Sequence, residues 1–159
     1  MNRKRRVRRK VGDVVSIPLE DNRVAFGWVL EEPLLAFFDY SCDTGAMPTI
    51  DEIIRKPISF RVNVMNYAVT RGRWTVIGHA PVPEKLLQTP WFFKEDRFSG
   101  KLSLTQVGAG DEIPATPEQC KGLERAAVWD PEHVEDRLRD HFAGRPNIWV
   151  ESLKLKSES

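Results

Sequence analysis

Hydrophobic and polar positions alternate most regularly between Pro57 and Ala80, in the run PISFRVNVMNYAVTRGRWTVIGHA. Ile58, Phe60, Val62 and Val64 alternate with Ser59, Arg61 and Asn63. A period of two places the four apolar residues on one face of a pleated strand. The return run, Trp74 to Gly78, is rich in β-branched and aromatic residues, which favour strands. Between the two runs lies Arg71-Gly72-Arg73. Gly72 adopts a positive φ at little cost, as a tight connection requires. The pattern predicts a long hairpin, and no catalytic residue type sits inside it.

Upstream, three apolar runs with short polar connections predict a β-meander. The first is Val11 to Pro18, ended by a proline that cannot donate a ladder bond. The second is Arg23 to Leu30, with Val24, Phe26, Trp28 and Leu30 on one face and Ala25, Gly27 and Val29 on the other. The third, Leu34 to Tyr40, is apolar nearly throughout and is therefore expected to be covered on both faces. Thr49 reads as a helix cap, with Asp51 and Glu52 in the first turn and Ile50, Ile53 and Ile54 as an apolar stripe. Pro57 ends that helix.

After Ala80 the pattern becomes irregular. Trp91-Phe92-Phe93 is an aromatic cluster in that irregular stretch, and Lys101 to Val107 alternates as a strand. Thr116-Pro117-Glu118-Gln119 is a helix start, followed by Cys120, Leu123 and Ala127 on one face. Asp130-Pro131-Glu132 starts a second helix, with Val134, Leu138, His141 and Phe142 at helical spacing and Gly144 as its C-terminal cap. Asn147 to Leu155 reads as a late strand, and Ser157 to Ser159 as a frayed end. The predicted fold class is α+β: a strongly curved, mainly antiparallel sheet or partly open barrel, with two C-terminal helices.

Composition adds little until charge is mapped along the chain. A chain of 159 residues fits one domain. Roughly 70% of the unfolded chain's surface is buried at that size, enough for a core without staples. The formal net charge is +1, but Arg3, Lys4, Arg5, Arg6, Arg8, Arg9 and Lys10 hold seven of the 24 basic groups. The rest of the chain carries 17 basic against 23 acidic groups, a net of −6. An acidic body, residues 11–156, thus follows a basic arm, residues 1–10, whose like charges favour disorder. Contact with nucleic acid is one reading of the arm; a solvated tail is the plainer one. No apolar run of signal-peptide or membrane-spanning type is present in the sequence. The protein is therefore expected to remain cytoplasmic, with Cys42 and Cys120 as reduced thiols.

Chemistry finds few candidates. His79, His133 and His141 lack the spacing of metal ligands, and neither CxxC nor HExxH occurs. No serine elbow or Walker loop is present. Cys42 is expected in a loop beside Asp43, which opposes thiolate formation. Cys120 falls in the first turn of a predicted helix, and its plainer reading is a small apolar core residue. The carboxylate pairs Glu31-Glu32, Asp51-Glu52 and Asp111-Glu112 sit at turns or helix starts, where capping and solubility explain them. No cofactor, metal or catalytic set is expected. Trp91 to Phe93 reads either as an interface anchor or as the closed end of a core.

Several of these stretches together resemble the bacterial immunity protein 26 family. The resemblance is carried by Gly12-Asp13-Val14-Val15 with Ile17-Pro18-Leu19, and by Phe26-Gly27 before Val29-Leu30. Ala36-Phe37-Phe38-Asp39 adds to it, and Gly72-Arg73-Trp74 followed by Ile77-Gly78 carries it furthest. It covers roughly residues 8–95, and Phe98 to Ser159 departs from it. Trp74 takes the place of the family's hallmark tryptophan, read here as packing of the hairpin, with Gly72 as its turn. The resemblance implies a non-enzymatic protein that neutralises a toxin of a polymorphic toxin system by covering its active or substrate-binding site. If the toxin is a nuclease, its basic face would suit the acidic body. Glu31, Glu32, Trp91, Glu95 and Asp96 are expected to reach such a partner. The competing expectation is a small nucleic-acid-binding module that uses Arg3 to Lys10.

Overall fold

The computed structural model describes residues 6–106, 110 and 112–155. Arg3, Lys4 and Arg5 of the basic arm, Val107, Asp111 and the expected frayed end lie outside the described residues. The expected meander forms as β1 (Asp13–Pro18), β2 (Arg23–Val29) and β3 (Leu34–Asp43), paired antiparallel in that order. Helix α1 (Ile50–Ile53) starts where the sequence places it, with the Thr49 hydroxyl accepting the Glu52 N–H. Then follow β4 (Ile58–Val64), a helical turn α2 (Tyr67–Thr70), β5 (Thr75–His79) and a short α3 (Glu84–Leu87).

The expected hairpin does not form. Among the described residues, the six-stranded sheet runs β5-β1-β2-β3-β4-β9, where β9 is Val128–Trp129. Strand β4 pairs with β3, and β5 pairs with β1 on the far side of the meander. Residues 65–74 cross between them by way of α2. Gly72 has φ +72°, so the turn residue is as expected. It ends a helical turn, with its N–H on the Val69 carbonyl, and does not join two paired strands. A period of two specifies a strand and its faces but is silent on its partner.

The sheet is open and buried on both faces. One face carries Val15, Ile17, Val29, Leu35, Phe37, Phe60, Val62 and Val64. It is covered by α2, by α5 (Pro131–Ala143) and by α6 (Ile148–Ser152). The other face carries Val14, Val24, Phe26, Trp28, Leu34, Ala36 and Phe38, covered by Ile53 of α1 and by residues of the 80–92 stretch. The apolar run of β3 is thus covered twice, as expected. Ile58 changes face relative to Phe60, because the β3–β4 register shifts between Phe37 and Phe38. Such a bulge redirects the side chains beyond it. Pairing of β4 with β9 is parallel, so the sheet is mixed with an antiparallel majority.

A second, three-stranded sheet holds β6 (Phe92–Glu95), β7 (Leu102–Thr105) and β8 (Ile113–Ala115). The aromatic cluster therefore lies partly on a strand. The helix expected after Thr116 is a single turn, α4 (Pro117–Cys120), with both halves of the capping box made by Thr116 and Gln119. It ends before Gly122, whose φ of +77° leaves the right-handed region. The late strand expected over 147–155 is helix α6, started by Asn147, whose Oδ1 accepts the Trp149 and Val150 N–H groups. Helix α5 matches its expected start and its Gly144 stop. The two C-terminal helices are therefore α5 and α6.

Candidate functional site

The expected contact residues separate into two places. Glu31 and Glu32 lie on the β2–β3 turn and are exposed. Glu95 and Asp96 lie at the end of β6, beside the β6–β7 turn. Trp91 precedes β6 and is 37% exposed, whereas Phe92 and Phe93 are buried in the core.

Glu95 is not the free surface acid that the sequence suggested. Its side chain is 13% exposed and its Oε1 accepts from Arg125 Nη2 at 3.1 Å. Arg125 also stacks over the Phe93 ring and donates to the Leu153 and Lys154 carbonyls. Glu95 therefore ties the small sheet to the C-terminal end. Asp96 is exposed but occupied, since its Oδ1 accepts the Phe98 N–H at 2.9 Å and the Ser99 N–H at 2.8 Å. Those donors, Ser99 foremost, hold its carboxyl below the ordinary carboxylate value. The turn they fix presents Phe98 with 96% of its surface exposed.

Around the β2–β3 turn the structure builds two cavities. One, of about 480 Å³, is lined by Arg6, Val7, Arg8, Arg9, Glu32, Asn66 and Thr70. Glu32 Oε1 accepts from Asn66 Nδ2 there. Arg9 is partly buried, and its guanidinium donates to the Leu30 and Leu34 carbonyls at 2.6 and 2.7 Å. Burial lowers its pKa from the ordinary arginine value, with Glu32 opposing. The Val7 N–H also bonds the Thr70 carbonyl. The second cavity, of about 420 Å³, is lined by Val11, Leu30, Leu34, Leu86 and Leu87 together with Glu31 and Thr89. Sequence reading found Glu31 but not its apolar neighbours. Leu86-Leu87 and Val11, at the start of the first apolar run, give no signal of meeting.

Trp74 is fully buried in the core, although the hairpin it was expected to pack does not form. Its Nε1 donates to Glu135 Oε2 on α5 at 2.9 Å. Arg73 adds a bidentate pair to the same carboxylate, Nε to Oε2 at 2.8 Å and Nη2 to Oε1 at 2.9 Å. These bonds raise the Arg73 pKa. The Trp74 ring meets Phe37 edge-on, at 5.7 Å between centroids. Trp74 thus pins α5 to the sheet. Nearby, Arg137 of α5 lies 3.6 Å over the Phe60 ring and pairs with Glu124 at 2.6 Å. Burial lowers the Arg137 pKa, against the pull of Glu124.

Cys42 is buried at the end of β3, not in a loop, and Cys120 is buried in the core around Phe93 and Leu155. Among the described residues, no group of three or more His, Cys, Asp or Glu side chains is placed to hold a metal ion. His79 faces Asp13, His141 faces Asp39, and His133 stacks on Trp149. No helix among the described residues is long and apolar enough to cross a membrane.

The family model for immunity protein 26 matches residues 10–104, more than half of the chain. The chain belongs to the immunity protein 26 family. No curated protein and no solved structure matches it. The matched segment of this immunity protein holds β1 through most of β7, including Gly72, Arg73 and Trp74. Glu135, the partner of Trp74, lies outside that segment.

Proposed function

We propose that this immunity protein binds a cognate toxin of a bacterial polymorphic toxin system and neutralises it in the cytoplasm. It does so by covering the toxin's active or substrate-binding site, without a catalytic step of its own. Membership of the immunity protein 26 family carries the reading. The net charge of −6 over residues 11–159 supports a partner with a basic face, as a nuclease would present. Residues 11–156 act as one unit in this reading. Of the expected contact residues, Glu31, Glu32, Trp91 and Asp96 are exposed enough to take part.

The nucleic-acid reading is weakened by the arm itself. Arg9 spends its guanidinium on backbone carbonyls, and Arg6 and Arg8 share a cavity with the Glu32 carboxylate. A phosphate brought there would meet that carboxylate.

Co-expression with the toxin domain encoded beside this chain tests the proposal. A co-purifying complex and rescued growth are the expected result. Absence of both overturns it, and binding of nucleic acid that is lost on removing residues 1–10 would then favour the arm.

A further inference from the structure

The cavity beside the β2–β3 turn is a built feature. Leu30 and Leu34 are buried at its base, while Val11 and Leu87 are 43% and 52% exposed at its sides. Its two walls belong to segments distant in sequence, and each wall is held by an arginine through main-chain carbonyls. Arg9 grips the carbonyls of Leu30 and Leu34 from the neighbouring cavity. Arg61 donates to the carbonyl of Gln88 at 2.9 Å and to that of Leu86 at 3.4 Å. A pocket whose walls are already fixed loses little conformational entropy on binding.

Its chemistry is mixed in a specific way. The lining is aliphatic apart from Glu31 and Thr89. Glu31 is exposed and its carboxylate has no hydrogen-bond or ion-pair partner among the described residues. An aliphatic cleft with one uncommitted carboxylate and one hydroxyl complements a side chain with an apolar stem and a cationic, multidentate head. Arginine fits this better than lysine. Its guanidinium is weakly hydrated and matches a carboxylate in two-pronged geometry, so less is lost on leaving water.

We propose that this cavity receives an arginine side chain of the cognate toxin, with its methylenes against Leu34, Leu86 and Leu87 and its guanidinium on Glu31. This inference rests on the toxin-binding reading above and adds the chemistry of the contact. The acidic turn then engages the toxin's basic face through one seated side chain as well as through diffuse charge.

The test uses the full chain and the toxin domain encoded beside it, with affinity measured by calorimetry at low and high ionic strength. Glu31→Gln and Leu87→Ser change exposed side chains and are expected to keep the wild-type thermal midpoint. Glu31→Gln should weaken binding at least about thirtyfold, as expected when one partner of a buried charge pair is lost. Leu87→Ser should weaken it about tenfold through lost apolar contact. One toxin arginine, replaced by alanine, should make the complex indifferent to Glu31→Gln in a double-mutant cycle. If the wild type binds and rescues growth while both variants stay within about twofold of it, the pocket proposal falls and the immunity reading stands. Coupling of Glu31 to a lysine, or a small molecule retained in the cavity in native mass spectrometry, overturns the arginine assignment. If the wild type binds no toxin, both readings fall.

Discussion

The two sheets of this immunity protein solve the same problem in opposite ways. In the six-stranded sheet nearly every residue of β2 is buried, and of β3 the whole apolar half, Leu34 to Phe38. In the three-stranded sheet every residue of β7 is only partly covered and β8 is mostly exposed. The large sheet is held by side chains removed from water on both faces, each worth about 1.5–3 kcal/mol when fully buried. The small sheet rests on a modest core around Phe93, Cys120 and Leu155, on Phe92, which reaches into the core of the larger sheet, and on polar links such as Arg125 to Glu95 and Lys94 to Glu112. Of these links Lys94–Glu112 is half exposed and stabilises weakly, whereas Arg125–Glu95 is largely shielded from water. The comparison teaches that the first sheet sets global stability while the second is free to present chemistry at its edge and tip.

The strongest way to break the comparison is Trp74→Ala. The indole fills the larger core and satisfies Glu135, so unfolding free energy should fall by about 3–5 kcal/mol in urea titrations. A loss below 1 kcal/mol would remove Trp74 from the stabilising centre. Arg73→Met comes next. It leaves Glu135 buried with only the indole N–H as donor, and a cost of about 2 kcal/mol is expected, moderated because Arg73 is 37% exposed. Gly78→Ala should cost about 1–2 kcal/mol. A Cβ there would lie 2.5 Å from Ile50 Cγ1, and the isoleucine must shift. In the small sheet, Lys94→Ala and Phe98→Ser should leave the thermal midpoint unchanged, since the groups involved are exposed. A shift of several degrees from either would show that the small sheet belongs to the global unit.

The smallest effect concerns pH. Asp96 is held below its ordinary carboxylate value in the folded turn. Its contribution is therefore present above the unfolded value and is lost as pH falls through the folded one. The Phe98 and Ser99 amides should lose their slowed hydrogen exchange in that acid window, ahead of the amides of β2. Asp96→Asn should flatten this pH response.

The strands and caps that local chemistry dictates were legible in the sequence. The alternation in β2 assigned Val24, Phe26 and Trp28 to one face correctly. Thr49, Thr116, Asp130-Pro131 and Gly144 marked real helix ends. Pairing was not legible, because Ile58 to Val64 and Thr75 to His79 carry no information on whether they meet each other or two separate neighbours. The C-terminal error has a plainer cause. Ile148, Trp149 and Val150 have high strand propensity, but the Asn147 side chain caps a helix, and Trp149, Val150 and Leu153 then pack against the core while Ile148 stays exposed. Tertiary burial outweighed propensity. Of the candidate contacts, exposure at Glu31 and Glu32 followed from their turn, whereas the Glu95–Arg125 link spans 30 residues and leaves no local trace.

The bond from Trp74 to Glu135 also sets where the molecule can be cut. The family segment ends at residue 104, yet the residues that cover one face of its sheet, Val134 and Leu138 among them, come from α5 beyond it. A fragment stopped at that boundary would leave an indole N–H without its acceptor and would bare a wide aliphatic surface to water. The matched segment is thus shorter than the set of residues that build its core, and a fragment that keeps that face of the sheet covered is expected to need the chain at least through Ala143, the end of α5.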